Sequence, residues 1–189
     1  MSFNTNKKIV KELIKESAEF SIKLAEESYK YGAEVILATD DYADNKGTLI
    51  NPDTMREFIF PVLSDLFKEF KRIGFKVIKH TDGNIMPIIN DLLECNIDCL
   101  DPIDPLANMD LKSIKKTIGS RVCLKGNVNC ATTLVDGTFD ETICETKKCL
   151  DVAKKNGGYI LSSSNSIHSG VNPSNFLKMV ETVKEYGHY

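Results

Sequence analysis

Two side chains able to carry a proton or hold a metal stand two residues apart in Lys79-His80-Thr81-Asp82-Gly83-Asn84. They follow an apolar run, Phe75, Val77 and Ile78, and precede a glycine turn. If that run is a strand, side chains at i and i+2 share a face. His80 and Asp82 then project together from its C-terminal end, where (β/α) barrels place their chemistry. An imidazole there can ligate a metal or shuttle protons near neutral pH. The bland alternatives are a core histidine bonded to a nearby loop, and an Asp82 that caps a helix starting near Asn84.

Other polar residues recur at the ends of apolar runs. Asp40 and Asp41 follow Val35-Ile36-Leu37-Ala38, and one of them is expected to face the same mouth, as ligand, base or substrate contact. Asn127 and Asn129 follow Val122-Cys123-Leu124-Lys125; they either bond a ligand or bridge neighbouring strands. Ser162, Ser163, Ser164 and Asn165 follow Tyr159-Ile160-Leu161 and suit an anion-binding loop of backbone amides. Asp101 and Asp104 flank prolines, which favours turn formation over chemistry. His188, close to the end of the sequence, reads as exposed.

The elements that must position these groups alternate. Lys7 to Tyr31 has the spacing of a long amphipathic helix, with Ile9, Leu13, Ala18, Ile22 and Leu24 on or near one face, and Gly32 stops it. Val35 to Ala38 is a short buried strand, and Tyr42 to Thr48 a polar loop. Asn51-Pro52-Asp53 opens a helix that runs to Gly74 and is kinked or divided at Pro61. Strand Phe75–Lys79 is followed by a helix from about Asn84 to Cys95, and strand Ile97–Leu100 by a short helix near Asp110 to Ile118. Strand Val122–Lys125 leads to a helix from about Asp140 to Lys155, and strand Tyr159–Leu161 to a last helix, Pro173 to Tyr186. Short apolar strands each followed by a helix imply α/β architecture with a parallel sheet. No GxGxxG or GxxxxGK[ST] follows a strand, which argues against a nucleotide-binding doubly wound sheet and for a barrel.

The bulk composition sets limits. A length of 189 residues suits one domain spanning 1–189. The net charge of -3 gives no basic field for nucleic acid or an anionic membrane surface. No apolar stretch is long enough to span a bilayer, and the first residues lack a signal peptide's apolar core, so a cytoplasmic location is expected. The six cysteines form no CxxC pair and read as reduced, small core residues.

The stretches Asp40-Asp41-Tyr42, Asn51 to Phe58, His80-Thr81-Asp82-Gly83-Asn84, Gly126 to Asn129 and Gly157 to His168 together resemble the C-terminal part of the uroporphyrinogen decarboxylase superfamily. That superfamily includes the decarboxylases of haem synthesis and the cobalamin-dependent methyltransferases. The resemblance implies a partial (β/α)8 barrel of about five C-terminal βα units, the whole being roughly twice this length. On the methyltransferase side, which this chain resembles more closely, it implies zinc bound by His-x-Cys and a later Cys, activating a thiol for methyl transfer with a corrinoid (methylcobalamin) carried by a partner protein. Here His80 matches the histidine, Asp82 stands for the first cysteine, and Asn165 lies near the second. Asp82 is a harder ligand, Asn165 a poor one, and His168 an available substitute.

The implied catalytic set is therefore His80, Asp82 and Asp41, the metal set His80, Asp82 and His168, and the substrate-binding set Asp40, Asn127, Asn129, Ser164 and Asn165. Five strands cannot close an eight-stranded barrel. Closure would need a homo-oligomer or a separate chain; the alternative is a fragment. Two rival functions remain at this level. One is decarboxylation of a tetrapyrrole, a carboxy-lyase reaction that needs basic groups from a partner chain. The other is a non-enzymatic truncated barrel that binds or assembles.

Overall fold

The computed structural model describes Phe3 and residues 5–188; residues 1, 2, 4 and 189 of the single expected domain lie outside the described residues. The elements are α1 (Lys7–Lys30), β1 (Val35–Thr39), β2 (Ala43–Asp44), β3 (Gly47–Thr48), α2 (Pro52–Phe58), α3 (Phe60–Ile73), β4 (Lys76–His80), α4 (Ile89–Glu94), β5 (Cys99–Asp101), α5 (Leu111–Ile118), β6 (Cys123–Val128), α6 (Thr133–Asp136), α7 (Phe139–Ala153), β7 (Tyr159–Ser163) and α8 (Pro173–Tyr186). Single 3-10 turns at Met86–Ile88 and Pro105–Ala107 complete the chain.

The main sheet has five strands in the order β1-β4-β5-β6-β7, and every neighbouring pair is parallel. The order never reverses, so the sheet has no topological switch point of the doubly wound kind. Sequential parallel strands with helical crossovers are the winding of a (β/α) barrel, here in part. Strands β1 and β7 are the sheet's two edges.

Register fixes two faces. Val35, Leu37 and Thr39 lie beside Lys76, Ile78 and His80, and Ile78 and His80 lie beside Cys99 and Asp101. Cys99 in turn lies beside Cys123. This is the concave face, and it is open: Val35 is 53% exposed, Leu37 50% and Ile160 45%. The opposite face carries Val77, Leu100 and Leu124, all fully buried beneath the helices with Phe67, Phe70, Leu92 and Leu134.

The structure departs from the sequence expectations in several places. Strand β1, expected to be buried, leaves Val35 and Leu37 half exposed, because it is an edge strand whose one face is left open among the described residues. The polar loop at 42–48 contains a two-stranded hairpin, β2–β3, whose turn is fastened by Asp44 Oδ1 accepting from the amides of Lys46 and Gly47. The helix expected from Asn84 begins later, as a 3-10 turn and then α4. Pro87 offers no N–H, and the residue before a proline resists helical geometry. Strand β6 runs on to Val128, because Gly126, Asn127 and Val128 pair with Leu161, Ser162 and Ser163. Along α1, Ile22 packs on the core, whereas Ile9, Leu13 and Leu24 stay 46–58% exposed, and Leu13 and Leu24 line a cavity with Val35 and Leu37 of β1.

The expected break near Pro61 falls at Ile59, between α2 and α3. Two glycines are required by geometry. Gly83 has φ +83, and a Cβ there would meet the Ala43 carbonyl carbon at 2.5 Å, so it lets the hairpin close over the end of β4. Gly126 has φ +132, and a Cβ there would lie 1.9 Å from the Pro102 oxygen.

Candidate functional site

Strand β4 delivers His80 at the C-terminal rim of the sheet, next to Thr39 of β1 and Asp101 of β5. Its Nδ1 lies 2.7 Å from Asp101 Oδ2. The Asp101 side chain is only 3% exposed, and its other oxygen accepts from Lys125 Nζ at 2.7 Å. A carboxylate bonded on one side to a cation and on the other to an imidazole fixes the ring and its tautomer: Nδ1–H donates, and Nε2 is directed elsewhere. The same bond, ahead of the opposing effect of burial, holds the His80 pKa above its ordinary value.

Nε2 faces two more carboxylates, Asp82 Oδ1 at 3.7 Å and Asp41 Oδ1 at 3.9 Å. Asp41 also accepts from the Asp82 amide at 3.1 Å. Asn165, from the loop after β7, donates through Nδ2 to Asp82 Oδ2 and receives the Ser166 amide on Oδ1. Asp82 Oδ1 is buried and has no hydrogen-bond partner among the described residues. Burial, more than the neighbouring Asp41 charge, pushes the Asp82 pKa up, against the pull of His80. A buried carboxylate oxygen without a donor is costly unless something else binds it.

One ligand-type atom from each of Asp41, His80 and Asp82 lies within 4.8 Å of the others. An imidazole nitrogen, two carboxylates and an orphaned buried oxygen form a donor set that fits a divalent cation such as zinc, with no thiolate in it. The same arrangement without a metal is an oriented imidazole poised to exchange a proton.

The other expected residues are placed differently. Asp82 does not cap the following turn; Asn84 Oδ1 accepts the Met86 amide instead. Asp40 is exposed at the end of β1, and its carbonyl accepts from Lys79. Asn127 bridges structure: Nδ2 donates to the Ile103 carbonyl at 2.7 Å, and Oδ1 accepts from the Cys149 thiol. Asn129 caps its own loop through the Ala131 and Thr132 amides. Ser164 is buried with its Oγ on the Cys130 amide, and its own amide donates to the Val128 carbonyl. The amides of Ser164 and Ser166 are thus engaged within the protein, unlike an open anion cradle.

His168 lies outside the Asp41–His80–Asp82 cluster. Its Nδ1 accepts the Gly170 amide and its Nε2 lies 3.1 Å from the Cys130 carbonyl, so both nitrogens are engaged. Asp104 is the turn residue it was expected to be, accepting the Leu106 amide. Asp101 is not: it is the residue that orients His80. The signal for this role was its position at the end of β5, level with His80 on β4.

Comparison with known proteins shows the family and the fold. The family model described as Uroporphyrinogen decarboxylase (URO-D) matches residues 1–186. A protein named methylcobamide:CoM methyltransferase MtaA, from Methanosarcina barkeri, is 30% identical over 135 residues, covering 71% of this chain and 38% of that protein. A uroporphyrinogen decarboxylase of Chlorobaculum tepidum is 26% identical over 164 residues, covering 82% of this chain and 42% of that one. The solved structure of a methyltransferase from Methanosarcina mazei superposes with a TM-score of 0.76 at 26% identity, over 90% of this chain and 48% of its own. The chain therefore spans half or less of the length of these relatives.

Proposed function

Because the chain belongs to the uroporphyrinogen decarboxylase (URO-D) family, we propose that His80, Asp82 and Asp41 form its metal-binding centre for methyl transfer, working within a completed barrel. The carrying observation is the oriented His80 Nε2 facing the unpartnered Asp82 oxygen at 3.7 Å. The likeness to methyltransferases in both sequence and structure favours this chemistry over decarboxylation. The similar decarboxylases keep tetrapyrrole decarboxylation as a second reading.

A zinc ion held there would supply Lewis acidity, lowering the pKa of a bound acceptor group. The protein's own parts have separate tasks. Asp101 and Lys125 hold the imidazole so that Nε2 points to the mouth. Asn165 fixes the Asp82 carboxylate from the far edge of the sheet. Asp41 ties the ends of β1 and β4 together at the same point. Without a metal, His80 is the group that accepts or returns the acceptor's proton. The methyl group would pass to or from a corrinoid on a separate protein.

The open edges β1 and β7, and the exposed apolar residues of the concave face, suit closure by a second copy or by a chain carrying the remaining units. Among the described residues, no helix is long and apolar enough to cross a membrane. The test is metal stoichiometry by equilibrium dialysis. One zinc per chain, lost in His80→Ala and kept in His168→Ala, supports the proposal. No zinc in the wild type, or zinc retained by His80→Ala, overturns it.

A further inference from the structure

Lys79 is a lysine with no exposed surface, one residue before the site histidine. Its side chain leaves the sheet on the face opposite to His80, as alternation along β4 requires. Its ammonium donates to the Asp40 carbonyl at 3.0 Å and stands 4.2 Å from the centre of the Tyr42 ring. Burying an ammonium is costly, and an isolated one would not persist. A carbonyl and the negative face of an aromatic ring are the partners that offset this cost.

Both partners flank Asp41, the residue between them. Two further bonds run parallel to this contact. The Tyr42 amide donates to Thr81 Oγ1 at 2.9 Å, and the Asp82 amide donates to Asp41 Oδ1 at 3.1 Å. Residues 79, 81 and 82 thus grip residues 40, 42 and 41 respectively. The 40–42 segment is the irregular connection that leaves β1, and Asp40 and Asp41 are themselves exposed. Solvent competes for Asp41, and the Lys79 contacts anchor the backbone on both sides of it.

We propose that Lys79 is the positioning residue of the site: pinned between the Asp40 carbonyl and the Tyr42 ring, it sets the Asp41 carboxylate against His80 and Asp82. This inference rests on the metal-centre reading for its purpose, but the clamp itself is a property of the fold. A fully buried cation is thereby used to place an exposed anion through the backbone between them.

Lys79→Met tests it, since methionine keeps much of the apolar stem and removes the donor and charge. Amide hydrogen exchange, read by mass spectrometry on peptides spanning 39–48 and 80–85, reports the clamp with no metal present. Exchange of the Tyr42 and Asp82 amides is expected to rise at least about tenfold, and zinc affinity to fall about 10–100-fold, the usual cost of losing a ligand's supporting partner. Tyr42→Leu should do the same more weakly, and Tyr42→Phe should not. Ile114→Ala, on the buried face of α5, controls for a general loss of stability and should leave both readouts near wild type.

Unchanged exchange in Lys79→Met, or an equal effect from Ile114→Ala, overturns the inference. If Lys79→Met does not fold, the contrast between Tyr42→Leu and Tyr42→Phe decides it. Faster exchange in a protein whose wild type binds no zinc would leave the clamp standing and remove the metal reading.

Discussion

Replacing Asp101 by asparagine should weaken the protein in a pH-dependent way. The substitution keeps the shape but removes a charge that two cations share, His80 Nδ1 and Lys125 Nζ, each at 2.7 Å. Removing one partner of a buried pair costs about 3–5 kcal/mol when the other is left fully dry. Here His80 and Lys125 keep 18% and 27% of their side-chain surface, so water relieves part of the penalty, and about 2–3 kcal/mol is expected.

The His80 share has a definite sign. Its pKa is raised in the folded protein, first by Asp101. Stability from this bond is therefore fully present below the unfolded value of about 6.5 and is lost as pH rises through the raised folded value. The Lys125 share persists across that range. Urea unfolding of wild type and Asp101→Asn at pH 5.5 and pH 9 should show a larger difference at pH 5.5, with unchanged slopes. The His80 ring signals should titrate at lower pH in the variant. A stability difference below about 0.5 kcal/mol, or one that grows with pH, would refute the assigned role of Asp101.

Three further outcomes follow from the geometry. Gly83→Ala puts a side chain at φ +83 against the Ala43 backbone and should cost roughly 2–5 kcal/mol in chemical denaturation; a neutral effect would mean the hairpin does not close there. Asp82→Asn removes a carboxylate whose folded pKa burial has raised. The stability of that protonated form is lost as pH rises through the folded value, so the variant should be more stable than wild type at pH 7 in urea unfolding, with the gain gone near pH 4. If copies of this chain pair their open edges, light scattering should give a mass above 21.1 kDa that grows with concentration, and a constant 21.1 kDa would exclude self-association.

The five strands of the main sheet were legible because each begins as a short apolar run ended by polar residues. His80 was legible because alternation along one strand needs no tertiary knowledge. Asp101 was not, since the proline after it carries a strong local turn signal. Its role depends on which strand lies beside β4, and that is set by packing between segments about twenty residues apart. Asn127 was misleading for a related reason. The sequence turns polar after Lys125, but pairing with β7 extends β6 through Asn127 and spends its amide on the Ile103 carbonyl. Lys79 carried no signal, because its partners, the Asp40 carbonyl and the Tyr42 ring, reach it from the segment after β1. The small residues of 162–166 suggest an anion loop, whereas their amides are used within the protein.

X-ray absorption at the zinc edge of the loaded protein tests the metal centre most directly. The account predicts a first shell of nitrogen and oxygen only, near 2.0–2.2 Å, that disappears in His80→Ala. Sulfur at about 2.3 Å would place the metal on cysteine thiolates and contradict the assignment to His80, Asp82 and Asp41.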